Sequence, residues 1–164
     1  MSCLFNSVWI FLWHYDYIAL SVLAMAGLLL SLIMIYTRLD IGVTQVPRNR
    51  HYMVNTTFSV YLGWITVAPI ANVAALLVAT GWNAYDITAI YATAALILIA
   101  LLLGLINTYT KGDTAYSAVL IWALIGIAVK QMNTWLIPYV AGFSVAALIA
   151  GIVLRKMGKL GQVG

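Results

Sequence analysis

Few side chains in this sequence can do covalent or acid–base chemistry. Its 164 residues include four Asp, two His and one Cys. His14 and Asp16 come nearest to an acid–base pair. No nucleophile or third partner stands with them, and a solvated His beside a helix-capping Asp accounts for both. There is no phosphate-binding Gly-rich loop, no His-Glu-x-x-His and no Gly-x-Ser-x-Gly. Two His and one thiol leave little from which to build a metal site. Cys3 alone cannot close a disulfide within the chain. Catalysis has no constellation to carry it, so the sequence predicts neither an enzyme nor a cofactor.

What the sequence does offer is binding chemistry. Asn6, Trp9 and Trp13 recur at i, i+3, i+7, and Tyr61, Trp64, Ala68 and Asn72 at i, i+3, i+7, i+11. On a helix each set forms one stripe. Indole and phenol rings give large stacking faces with few rotatable bonds, which suits a flat, apolar ligand. Two such stripes facing each other, with Gly63 and Ala68 leaving room, would make a pocket. Ordinary packing is the other reading of these rings, with Trp13 as an anchor at the membrane interface. Asn6 and Asn72 likewise have two readings. Either they hydrogen-bond across helices, which is worth about 0.6 to 2 kcal/mol in a membrane, with each a candidate partner for the other, or they touch a ligand.

The elements that must position these residues are apolar helices. The chain is 65% hydrophobic and 7% charged, with mean hydropathy +1.03. A soluble domain carries roughly 25% charged residues, and this chain could not cover its surface in water. Tyr52–Thr80 runs 29 residues without a charge, where roughly 20 suffice to cross the hydrocarbon core. Further spans are expected at Tyr17–Thr37, Ile87–Thr108, Thr114–Val129 and Trp135–Leu154. Asp86 and Asp113 are placed to cap helices. Trp82 and Tyr85 are placed at the interface, and Pro138 lies in a first turn, where it costs little. A short tail with Arg155, Lys156 and Lys159 follows. The reading is an all-α integral membrane protein with five transmembrane helices and a partial N-terminal helix over residues 1–15. That segment lacks the basic start and small-residue cleavage site of a signal peptide. It reads as the end of a longer helix.

Charge gives the orientation. With the Arg38–His51 connector inside, Arg38, Arg48, Arg50, Lys111, Arg155, Lys156 and Lys159 are cytoplasmic and Lys130 alone is outside. The C-terminus is then cytoplasmic. These charges mark topology; no basic stripe interleaved with aromatics points to nucleic acid. No charged residue lies in the middle of a span, which counts against proton relays and ion-coupled transport. Trp122 and Gly126, with Gly142 and Gly151, are expected to allow close helix packing. There is no GxxxG to argue dimerisation, though a homo-oligomer stays open.

Val60–Asn72, VYLGWITVAPIAN, resembles the last-helix signature of the TspO/MBR family, the tryptophan-rich sensory or translocator proteins. The family reads approximately PYLxWxxFAxxLN, and Tyr61, Leu62, Trp64, Ala68 and Asn72 fall at matching spacing. Val60, Val67 and Ala71 depart from it, and Pro69 is unusual at its place. Cys3–Tyr15, CLFNSVWIFLWHY, is similar to the end of the family's third helix, roughly LNxxWxxxFF, through Asn6 and Trp9, with Trp13 for an aromatic. The resemblance covers residues 1–80, an N-terminally incomplete family region. Residues 81–164 then add three helices to the same membrane domain. The chain is expected to begin inside the family domain, since the first two family helices have no counterpart.

The resemblance implies a membrane protein that binds, senses or transports a hydrophobic ligand such as a tetrapyrrole, most simply in a prokaryotic cell membrane. It also implies ligand-contact roles for Asn6, Trp9, Trp13, Tyr61, Trp64, Ala68 and Asn72. Its partners would be the bilayer and a hydrophobic small molecule. After Asn72 neither Tyr nor a basic residue precedes Trp82, so the cholesterol-recognition pattern of some animal members is not carried over. The competing readings are a small transporter or permease subunit and, with no catalytic group behind it, an enzyme acting on porphyrins.

Overall fold

The computed structural model describes residues 1–44, 46–83 and 86–160, without the side chains of Lys159 and Leu160. Tyr85, expected at the interface, lies outside the described residues. Helices α1 (Ser2–His14), α2 (Ile18–Arg38), α4 (Thr56–Ala79), α5 (Ile87–Thr110), α6 (Thr114–Lys130) and α7 (Ile137–Leu160) make up nearly all of the described chain. A single turn, α3 (Arg48–Arg50), leads through a π-helical turn (His51–Asn55) into α4. There is no strand among the described residues. In lipid, every backbone N–H and C=O must be paired within its own segment, and these Leu-, Ile- and Ala-rich stretches do so as helices.

Four stretches are long and apolar enough to cross a membrane: Ile18–Arg38, Arg48–Ala79, Ile87–Thr110 and Ile137–Gly158. The expected fifth, α6, has 17 residues. At about 1.5 Å per residue it falls a little short of a hydrocarbon core of about 30 Å.

The helices pack in the order α1, α2, α4, α6, α7, α5, each mainly against the next. Helix α5 also touches α6 but meets α4 only lightly, so the α4–α5 seam is loose. Met25, Leu28, Leu32, Ile97, Leu120, Leu124 and Leu148 are fully buried at the centre. Gly63 brings α4 close to α6: a β-carbon there would meet the Tyr116 carbonyl at 3.0 Å and Val119 at 3.1 Å. That corrects the expectation that Gly63 leaves room for a pocket. Gly151 packs closely against Leu105, as expected, but Gly126 and Gly142 face open space.

Polar contacts lock one end of the bundle. The Tyr36 hydroxyl donates to Asp113 Oδ2 at 2.8 Å and accepts from Asn107 Nδ2 at 3.1 Å. Asp113 Oδ1 accepts from the N–H groups of Ala115 and Tyr116 at 3.1 and 3.2 Å. This is the expected cap, with an unforeseen tie to α2. The expected tail after Leu154 is instead helix through Leu160. Arg155 turns back and donates to the Thr108 carbonyl, which also accepts from the Gly112 N–H at 3.1 Å at the end of α5. Gly112 (φ +69) makes this fit, because a side chain there would run into the Arg155 guanidinium.

Candidate functional site

Asn72 is 3% exposed and sits where α1, α2 and α4 meet. Ser21 spends its single proton on the Ile18 carbonyl at 2.7 Å. Its oxygen then accepts from Asn72 Nδ2 at 3.2 Å, and Asn72 Oδ1 accepts from the Trp9 indole N–H at 3.5 Å. Asn72 is therefore a bridge between helices. Its partners are Ser21 and Trp9, which corrects the expected pairing with Asn6. Asn6 is half-buried one turn before Trp9. Trp13 is 41% exposed and stacks on Trp9 at 6.1 Å between ring centroids. Tyr61 packs partly buried against the core. Among the described residues, Ser21 was the missing signal. A lone Ser in an apolar helix reads as a tolerated small residue until a partner faces it.

The two stripes do not face each other as one pocket. The α4 stripe is wide enough in angle that its members part company. Asn72 points to α1 and α2. Trp64 turns the other way and meets Trp122 of α6, with ring centroids 5.5 Å apart. There, between α4, α5 and α6, lies a cleft of about 860 Å³. It falls within the range of about 300 to 1,000 Å³ typical of small-molecule sites.

One wall of the cleft is α4, from Trp64 through Ala68 to Val78, with Trp82 beyond it. The opposite wall is mostly small: Ala89, Ala92 and Thr93 of α5, with Leu96 at its end. Helix α6 supplies Trp122, Gly126 and Lys130. Trp122 is 67% exposed and Trp64 46%, so the cleft opens sideways towards lipid. The α4 wall contains Pro69, whose missing N–H leaves the Ile65 carbonyl without its helical donor and favours a local bend. A bend there fits the loose seam with α5. A smaller recess of about 380 Å³ lies against the same Trp64–Trp122 pair, lined also by Val60 and Val119.

Of the residues expected to touch ligand, the cleft brings together Trp64 and Ala68. Asn6, Trp9, Trp13, Tyr61 and Asn72 are not among its lining. The sequence reading did not place Trp122 beside Trp64 in the cleft lining. Its i, i+4 spacing to Gly126 was the available signal, since a large flat ring next to a missing side chain leaves a slot on one face.

The lining can stack and bury an apolar body. Among its described residues it has no acid, His, Cys or Tyr. No group of three or more His, Cys, Asp or Glu gathers elsewhere among the described residues. His14 lies edge-on to Tyr15 at 5.2 Å, and Asp16 takes a left-handed turn conformation (φ 60). Asp86 Oδ1 accepts from the Ile87 N–H at 2.8 Å at the start of α5.

The family model described as TSPO-like protein matches residues 1–154. The match runs on from the motifs of residues 1–80 through α5 and α6 into α7. No curated protein and no solved structure matches the chain. With that match and its apolar, membrane-length helices, the chain is an integral membrane protein and belongs to the TSPO-like family.

Proposed function

We propose that this protein binds a flat hydrophobic ligand of the tetrapyrrole class in the cleft between α4, α5 and α6, for sensing or transport rather than catalysis. The observation that carries the reading is the Trp64–Trp122 pair, which opens onto a lipid-facing space of about 860 Å³. A ring system would be held by stacking on the indoles. The described lining offers no axial metal ligand, so a metal-free ring suits it best. In this reading α6 crosses as a fifth span, with Lys130 reaching up to the interface. The C-terminus is cytoplasmic, in a prokaryotic cell membrane. The ligand would reach the site through the bilayer.

Gly126→Leu tests this directly. Nothing lies within 4 Å of a β-carbon built at Gly126, so Leu there fills the cleft without a clash. It also improves helix propensity by up to about 1 kcal/mol. Quenching of tryptophan fluorescence by protoporphyrin IX, titrated in detergent, should weaken at least tenfold while the ligand-free melt holds or rises. Trp64→Ala should also weaken binding more than it lowers the melt, because the ring is half exposed. Unchanged affinity in both variants would remove the cleft as the site.

A further inference from the structure

We infer that the cleft selects ligands with an anionic substituent, seated so that the anion meets Lys130 at the polar end of the cleft and the apolar body lies along it against Trp64 and Trp122. This rests on the reading of the cleft as a tetrapyrrole site and adds which chemistry it recognises and in which direction.

Lys130 ends α6 and lines the cleft together with Gln131 and Asn83, all at the same end of an otherwise apolar space. It is exposed, and no ion pair to it forms among the described residues. Asp86 follows Asn83 closely in sequence, yet it does not line the cleft, and one of its oxygens caps α5. Lys130 also offsets the partial negative charge at the C-terminus of α6. That role does not require it to line the cleft. By contrast, the opposite end carries its many cations away from this space: Arg155 is turned to Thr108, and neither Lys111 nor Arg38 lines the cleft. Positive charge on the lining therefore comes from one side chain. It sits where a carboxylate could stay near water while its ring system is buried. A compact ammonium on a flexible stem suits such an interfacial anion.

The test uses two probes with the same ring: protoporphyrin IX, which carries two carboxylates, and its neutral dimethyl ester. Each is titrated against the full chain in nanodiscs of zwitterionic lipid, and quenching in empty nanodiscs is subtracted. Wild type should bind the acid about fivefold more tightly than the ester, the size of one exposed charge contact. Lys130→Gln should abolish the difference, and Lys130→Arg should keep it. Removing the outside cation only reinforces the positive-inside orientation, so the fold is not put at risk. Equal binding of acid and ester by wild type, or an acid preference that survives in Lys130→Gln, overturns the inference and leaves the cleft standing as an uncharged site. Binding of neither probe overturns the tetrapyrrole reading and this inference with it.

Discussion

At the scale of single residues, an amide in an apolar helix proves to be a fastener. Asn72 is bonded to Ser21 and reached by Trp9, and lipid could not replace either partner. Asn72→Leu keeps roughly the size and removes the polar group. It should lower the ligand-free melting temperature in detergent by an amount equivalent to about 1 kcal/mol, in line with hydrogen bonds between membrane helices. Ser21→Ala should cost somewhat less, because it spares the bond from Trp9 to Asn72, and the double variant should be little worse than Asn72→Leu alone, in which the bond to Ser21 is already lost. A ligand-free melt unmoved by Asn72→Leu, with a lost protoporphyrin-induced rise, would show that Asn72 is a ligand contact instead. A residue that matches the family motif is thus bonded between helices. The cleft on the other side of α4 is lined by Trp122, outside any motif quoted for the family.

At the scale of elements, α6 falls short of the length of the four membrane-length helices and is tied to its neighbours by several side chains. Its first turn is held by Asp113, which also receives the Tyr36 hydroxyl from α2. The Ser117 and Thr108 hydroxyls lie 2.8 Å apart, and the Tyr116 hydroxyl reaches Thr66 of α4 at 3.1 Å. A 17-residue helix with so many anchors can keep its place despite its length. Asp113→Ala removes the cap, worth about 1 kcal/mol, and a buried hydrogen bond to Tyr36, worth about 1 kcal/mol more. Tyr36→Phe keeps the cap but removes the hydroxyl's bonds to Asp113 and to Asn107. Melts of the two variants should therefore both fall below wild type, by comparable amounts. An Asp113→Ala protein that melts with wild type would mean that α6 is held by apolar packing alone. The cleft depends on this anchoring, since α6 carries Trp122, Gly126 and Lys130 on one face.

At the scale of the whole molecule, the charges sort by end. Tyr36 near the end of α2, the α5–α6 turn and the last part of α7 come together through Tyr36–Asp113 and Arg155–Thr108. The cations flanking those segments are gathered at that end. Lys130 closes α6 at the other. The expected topology follows from this asymmetry. A reporter active only in the cytoplasm should be bright when fused after Gly164 and dark after Asn83. The reverse pattern would invert the orientation, and with it the side of the membrane on which Lys130 lies.

The apolar helices and the caps at Asp86 and Asp113 were legible in the sequence, because they depend on local chemistry, whereas the last helix runs on to Leu160, past its expected end at Leu154. An apolar run long enough for lipid must be a helix, Asp86 and Asp113 stand immediately before such runs, and Pro138 sits where a helix tolerates it. That Asn72 needs a polar partner and that Trp64 offers a stacking face could also be read from their types and spacing. Which way each one points could not. Tyr61, Trp64, Ala68 and Asn72 share a stripe on paper, but a stripe this broad borders two neighbours. Only the packing of α4 between α2 and α6 decides that Asn72 meets Ser21 while Trp64 meets Trp122. The cleft itself is a property of a seam. It exists because α5 leans on α7 and hardly touches α4, and no single segment encodes a gap between two others. The same holds for Arg155, read as part of a tail, whose partner is a backbone carbonyl 47 residues away in sequence. Local sequence specifies which groups need partners, and the tertiary structure chooses them.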